Sequence, residues 1–304
     1  MSKKHQKLLQ IDKAELSKLS GVSLGTVQAF NNKLLREGQN LYRDLEWRNT
    51  YDPYEIWISE VMLQQTQVSR VQERWTQWIE MFPTVDALAS ASQVEVLQLW
   101  QGLGYNRRAL LLKRAADYIS ASLHGIMPQN VLELEALPGI GPATAAGIVS
   151  FAFNKPALYL ETNVRSVLLH EFYPTKDQVS DDTLYTLLAL LLPDRDYKNW
   201  YYAFLDYGNY LKLILPNPSR RSKHHSTQSK FEGSHRQKRS FLLRTILSLD
   251  DGELMSFSAL RNTLNSFEES EGRIALGDDY VREILCELIR EGFVKNYKDG
   301  YRAS

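Results

Sequence analysis

From about residue 26 to residue 215 the apolar positions return at three- and four-residue spacing, as in LGTVQAFNNKLLREGQNLY, YEIWISEVMLQQTQVSRVQERWTQWIEMF, VDALASASQVEVLQLWQ and RRALLLKRAADYISASL. That spacing places the apolar side chains on one face of an α-helix. The segments FPT, GLGYN, HGIMPQ and LPGIGP interrupt it, so the pattern predicts short helices with brief connections, packed as a helical array rather than a coiled coil. Trp57, Trp75, Trp78 and Trp100 read as core. Residues 217–239 lose the pattern and read as a linker. Beyond them, FLLRTILSLDDGELMSFSALRNTLNSF and YVREILCELIREGF predict three helices, and FVKNYKDGYRA alternates around Lys-Asp-Gly as a β-hairpin does. Three helices and a hairpin suggest a winged helix over 240–304.

Composition narrows this picture. The 304 residues are 43% hydrophobic, enough for a core and for two domains, and no apolar run approaches the roughly 18–20 residues that span a bilayer. No secretory signal is expected at the N-terminus, and the predicted location is cytoplasmic. A single cysteine, Cys286, excludes an internal disulfide and any multi-thiolate metal site. Thirty-six basic residues balance thirty-six acidic ones, which argues against coating nucleic acid by bulk charge. Basic charge is concentrated locally: residues 217–240 hold seven Lys/Arg, three His and one Glu.

Three stretches carry candidate chemistry. In LPGIGPATAAGIV (137–149) Gly139 and Gly141 flank one apolar residue before a helix of small residues. Such a tight helical hairpin binds phosphate through main-chain amides and the positive helix end. SEVMLQQTQV sets Glu60 among Ile58, Val61, Met62 and Leu63. Either Glu60 faces solvent, or burial raises its pKa and keeps it protonated, as a general acid requires. In GLGYNRRALLL, Leu103 and Tyr105 precede two arginines, which suits either an aromatic wedge beside phosphate-holding cations or a plain loop.

In this order, LEWR, YDPYEIWISEVMLQQTQV, FPTVDALA, LWQGLGYNRRALLL, ALPGIGPATAAGI and NVRSVL resemble the helix-hairpin-helix DNA glycosylases of the HhH-GPD, endonuclease III-like group, and among them the adenine DNA glycosylases of the MutY type, from about Leu45 to Gly208. The resemblance implies a mainly α, two-domain glycosylase fold. An N-terminal helix in 22–51 would pack on a second helical domain at 159–216, with a six-helix barrel at 52–158, the basic linker at 217–239 and the winged-helix-like domain at 240–304. It also implies base excision from double-stranded DNA holding a mismatched or oxidised pair, by a monomer, at the nucleoid of a bacterial-type cell, with the base flipped out of the stack. Glu60 then protonates the adenine ring. Glu161, with Asn163, is the ionised carboxylate that steadies the cationic sugar. Arg48, Gln65 and Thr66 contact the target base or its partner. Tyr105 is the wedge beside Leu103, and Gly139, Gly141 and Thr144 face the DNA.

The chain also departs from that family. Glu161 stands where aspartate is typical, one methylene longer, and misplacement by about 1 Å can cost on the order of a hundredfold in rate. Ala143 occupies the position of the lysine of strand-cleaving relatives, so no Schiff base is expected there. The iron-sulfur cysteines are missing and no cofactor is expected, although the hairpin leaves room for a monovalent cation. In the cluster's place, Leu211, Leu213, Ile214 and Leu215 are expected to form an apolar plug, and Arg220, Arg221 and Lys223 to supply the lost DNA contacts. No Nudix-like domain is expected, the winged-helix-like segment standing in its place. The competing readings are a glycosylase for thymine or uracil opposite guanine, and a non-catalytic lesion-binding protein.

Overall fold

A computed structural model of the chain describes residues 3–223 and 229–304. Helices follow one another as α1 (Lys3–Lys7), α2 (Lys13–Ser20), α3 (Leu24–Asn40), α4 (Pro53–Met62), α5 (Val68–Met81), α6 (Val85–Ser90), α7 (Gln93–Leu99) and α8 (Arg107–Leu123). Next come α9 (Val131–Glu135), α10 (Pro142–Ala152), α11 (Thr162–Phe172), α12 (Asp181–Leu191), α13 (Tyr197–Ile214), α14 (His235–Leu247), α15 (Phe257–Ser270) and α16 (Asp278–Arg290). Strands β1 (Val294–Tyr297) and β2 (Gly300–Ala303) close the chain. The protein is therefore mainly α, as the periodicity predicts. Starts are set by side-chain caps: Ser23, Thr84, Asn130, Ser180 and Ser234 each accept a first-turn N–H, and Ser92 forms a capping box with Glu95. No described helix is long and apolar enough to cross a membrane.

Two compact units form: Met1–Ile79 with Tyr118–Ser226, and Glu80–Asp117 with Thr227–Ser304. This division cuts across the expected one. The stretch 52–158 is shared between the units, and the C-terminal segment joins 80–117 instead of standing alone. Side chains of α7 supply the reason. Gln98 donates to the Leu247 carbonyl at 2.9 Å and Gln93 to the Gly292 carbonyl at 2.6 Å, contacts between residues that lie far apart in the chain.

In the first unit, every residue of α10 from Thr144 to Ala152 is buried, as fits a helix apolar on all sides, and it packs on α4. Helix α13 packs on both α11 and α3. It approaches α11 so closely that a Cβ at Gly208 would lie 2.4 Å from the Asn163 carbonyl oxygen, and one at Gly38 of α3 2.3 Å from Ala203 Cβ. In the second unit, β1 and β2 pair antiparallel from Val294↔Ala303 to Tyr297↔Gly300, the hairpin expected around Lys298-Asp299. Met255 adds a single antiparallel bridge to Tyr301.

The expected linker is shorter than 217–239. Pro218–Arg221 forms a 3-10 turn, Ser219 and Ser222 are buried, and Ser222 bridges Val179 in parallel. Helix α14 already begins at His235. Residues 224–228 of that stretch lie outside the described residues. The apolar plug is also corrected. Leu211 is buried, but Leu213 (77%), Ile214 and Leu215 are exposed at the end of α13. What pins the segment after α13 is polar: Arg221 donates to the carbonyls of Leu169, at 3.0 Å, and of Pro174. Arg221 therefore tethers main chain, whereas Arg220 and Lys223 remain exposed.

Candidate active site

Glu60 lies on the last turns of α4, where the helix is pressed against α10. Its carboxyl meets α10 at Gly147: a Cβ there would stand 2.4 Å from Glu60 Oε2 and 3.0 Å from the ring of Tyr159. Only glycine admits the carboxyl at that depth. Tyr159 is buried against Phe151 and Tyr201 with edge-on ring contacts at 5.2 and 5.4 Å, and it hydrogen-bonds to Glu60. Tyr159 is itself held by its main-chain N–H, which donates to the Tyr201 hydroxyl at 3.0 Å. Part of the Glu60 side chain reaches solvent, while its carboxyl is enclosed by protein atoms. Burial pushes that carboxyl up to about 8. The Tyr159 hydrogen bond pulls the other way, and the nearby Glu161 charge adds to the rise.

Glu161 has different surroundings. It is the N-cap of α11: its Oε1 accepts from the main-chain N–H of Asn163 at 2.6 Å and of Val164 at 3.0 Å. Burial raises its pKa. The Val164 N–H, the charge of Lys212, the Asn163 N–H and the charge of Arg165 oppose that rise. The expectation of a simply low-pKa carboxylate is thus corrected: desolvation is the largest influence, and the helix end and two cations counter it. Asn163 Nδ2 lies 3.4 Å from Glu161 Oε2, and its buried Oδ1 has no partner among the described residues. That acceptor would take a hydrogen from substrate or water. Lys212 escaped the sequence reading. It follows Gly208 by one turn of α13, on the side that touches Asn163, and its own pKa is lowered by burial. Its signal in the sequence was a lysine amid apolar residues in YLKLIL.

The other expected site residues divide. Arg48 turns inward. It is 5% exposed, and its guanidinium grips Asp206 (2% exposed) at 2.7 and 2.9 Å while lying 4.4 Å from the centre of the Tyr202 ring. Thr144 is buried and accepts from Gln64 Nε2 at 3.0 Å, tying the turn after α4 to α10. Leu103 is buried and Tyr105 is exposed, both in the second unit. Gln65 is exposed with φ 55°, and Thr66 is half-buried, its hydroxyl turned to the Gln64 carbonyl at 3.2 Å. Gly139 needs its lack of a Cβ for a φ of 76°. Gly141 has ordinary φ, caps α10 ahead of Pro142 at the first helical position, and faces open space where a Cβ would stand. Among the described residues no His, Cys, Asp and Glu cluster has the geometry to hold a metal ion.

The 137–141 hairpin leads into α10, whose Gly147 meets the Glu60 carboxyl, and the Glu161 charge acts on that carboxyl. Residues 58–193 match the HhH-GPD superfamily of base excision DNA repair proteins. The chain is 39% identical over 168 residues to an adenine DNA glycosylase of Mycolicibacterium smegmatis, covering 55% of this chain and 57% of that one. It is 42% identical over 151 residues to that of Homo sapiens, covering 47% and 28%. The chain thus matches little more than half the length of the first of these relatives. Among solved structures it is similar to a thermostable thymine-DNA glycosylase, with TM-score 0.55 and 24% identity over 60% of this chain and 85% of that one. It is also similar to endonuclease III trapped in a covalent intermediate with DNA, with TM-score 0.53 and 21% identity over 62% and 87%.

Proposed function

We propose that the protein is a monofunctional adenine DNA glycosylase of base excision repair, removing adenine mispaired with guanine or 8-oxoguanine from double-stranded DNA. The observation that carries this reading is the Glu60 carboxyl enclosed against Gly147 and Tyr159, where burial pushes its pKa up to about 8 and the Glu161 charge adds to the rise. Glu60 would give its proton to a ring nitrogen of the flipped adenine, so that the C1′–N bond breaks with the base leaving neutral. The sugar is left as an oxocarbenium-like cation, which the Glu161 carboxyl would stabilise in its ionised form, and water adds at C1′ while its proton passes to a carboxylate. Asn163 Oδ1 is placed to orient a donor in that pocket.

Glu161 supports this role despite its length. It curls back to cap its own helix, so the extra methylene is taken up locally and the carboxylate is held by two main-chain N–H groups. Ala143 supplies no amine, consistent with hydrolysis without strand cleavage. Any cation bound at the 137–141 hairpin would be held by main-chain carbonyl oxygens, as suits a monovalent ion. We read the three C-terminal helices and hairpin as winged-helix-like, and the protein as a monomer of the bacterial cytoplasm.

The test is a panel of duplexes with A, T or U opposite guanine or 8-oxoguanine, with and without alkali after incubation. Adenine release that Glu60→Gln abolishes, that Glu161→Asp retains and that Glu161→Gln loses supports the proposal. Release of T or U alone would transfer it to another base. Binding with release of none would reject the enzyme, and cleavage without alkali would reject the monofunctional assignment.

A further inference from the structure

The loop bearing Tyr105 and helix α14 belong to one unit, and one charged side chain joins them. Arg236, in the first turn of α14, donates from Nη1 to the Tyr105 hydroxyl at 3.0 Å. Its Nη2 donates to the Ser229 carbonyl at 2.7 Å and to the Ser229 hydroxyl at 3.3 Å. The guanidinium carbon lies 5.9 Å from the centre of the Tyr105 ring. All these partners are neutral, so the positive charge is uncompensated among the described residues. The neighbouring cations are not: Lys238 pairs with Glu268, and Arg239 with Glu287 and Glu291.

The loop itself is held firmly. Gly102, Gly104 and Tyr105 all have positive φ, at 92°, 71° and 49°, and a side chain in that region costs roughly 1–2 kcal/mol. The Trp100 indole donates to the Gly104 carbonyl, and Arg108 Nη2 to the carbonyls of Leu103 and Gly104, each at 3.0 Å. Tyr105 is nevertheless 43% exposed, and Arg107 beside it is exposed as well. A ring presented on a fixed loop and surrounded by cations matches a stacked base step between phosphates.

We infer that the C-terminal segment supplies part of the DNA-docking surface, with Arg236 bracing the Tyr105 wedge from α14 and holding its charge to a phosphate of the duplex. This rests on the DNA reading of the proposed function and assigns the C-terminal helices a direct share in it. It does not rely on α16 as a reading helix, whose sequence DDYVREILCELIR is acidic in its first turn.

The experiment uses the full chain and a duplex with adenine opposite 8-oxoguanine and 2-aminopurine at the adjoining position, whose fluorescence rises when it is unstacked. Arg236→Ala is expected to weaken affinity severalfold, to make the slope of log K against log salt shallower by about one, and to lower the fluorescence at saturation. Arg236→Lys keeps the slope but loses part of the fluorescence, because an ammonium lacks the fork that reaches Tyr105 and Ser229 together. Tyr105→Phe, which removes only the hydroxyl, also lowers fluorescence and keeps the slope. If Arg236→Ala melts early, the last two variants decide. Unchanged slope and fluorescence in Arg236→Ala that melts like the wild type, or unchanged fluorescence in both other variants, overturns the inference. Arg236-dependent binding without release of any base would leave it standing while rejecting the glycosylase reading; release without any Arg236 effect would do the reverse.

Discussion

At Glu60 the chemistry follows from one missing methyl group. Gly147 lets α10 close over the carboxyl, and the resulting desolvation favours the protonated form that the proposed reaction would use. Gly147→Ala should displace Glu60, lowering stability by about 1–3 kcal/mol through overpacking and slowing base release, as thermal melting and single-turnover rates would show. The raised pKa also has a sign in stability. The folded carboxyl holds a proton from its ordinary 4.5 up to about 8 whereas the unfolded one has lost it, so stability from this group declines as pH rises through that window and levels off above it. Base release should fall above about pH 8 in the wild type. Glu60→Gln should gain stability relative to wild type between pH 5 and 8, measured by denaturant titration. Lys212 acts on the other limb. Lys212→Met removes a charge that lowers the Glu161 pKa, so the acid-side decline of the rate should move to higher pH while Glu60's limb stays in place.

At the scale of elements, α13 governs what its neighbours can do. Gly208 and Lys212 lie one turn apart on it and serve the start of α11, while Asp206 turns inward to Arg48 and also accepts from Arg43 at 2.6 Å. This ion pair gives the arginine of LEWR a structural task inside the fold. Asp206→Ala would leave a buried guanidinium unpaired and should destabilise the fold by about 3–5 kcal/mol, a loss visible in the denaturation midpoint. The turn Pro218–Arg221 follows the same logic, since Arg221 and the Val179–Ser222 bridge fasten backbone where cysteine ligands are absent.

At the scale of the whole molecule, the C-terminal helices are a partner of 80–117 rather than an appendage. Leu242, Leu243, Ile246 and Leu247 of α14 are buried, and α7 is hydrogen-bonded to the end of that helix. A chain ending at residue 230 should therefore melt at a lower temperature and lose cooperativity instead of behaving as an intact core, as calorimetry on both lengths would show. A truly independent domain would come off without shifting the transition of the remainder.

Local rules were enough for the helical pattern from about residue 26, the glycine hairpin and the C-terminal β-hairpin, because apolar period and turn residues act over a few positions. The motif resemblance then pointed to Glu60, and to Glu161 as a carboxylate standing where aspartate is typical. Tertiary packing alone decided which polar side chains in those motifs turn inward. Arg48 and Thr144 are engaged by Asp206 and Gln64, partners 158 and 80 positions away, and Leu103 is buried. It also decided that Glu161 caps its own helix, that Lys212 lies beside it, and that Arg236 meets Tyr105 across 131 positions. The division follows from the range of the forces: periodicity and turn chemistry are written residue by residue, whereas desolvation and ion pairing depend on which distant segments the packed core brings together.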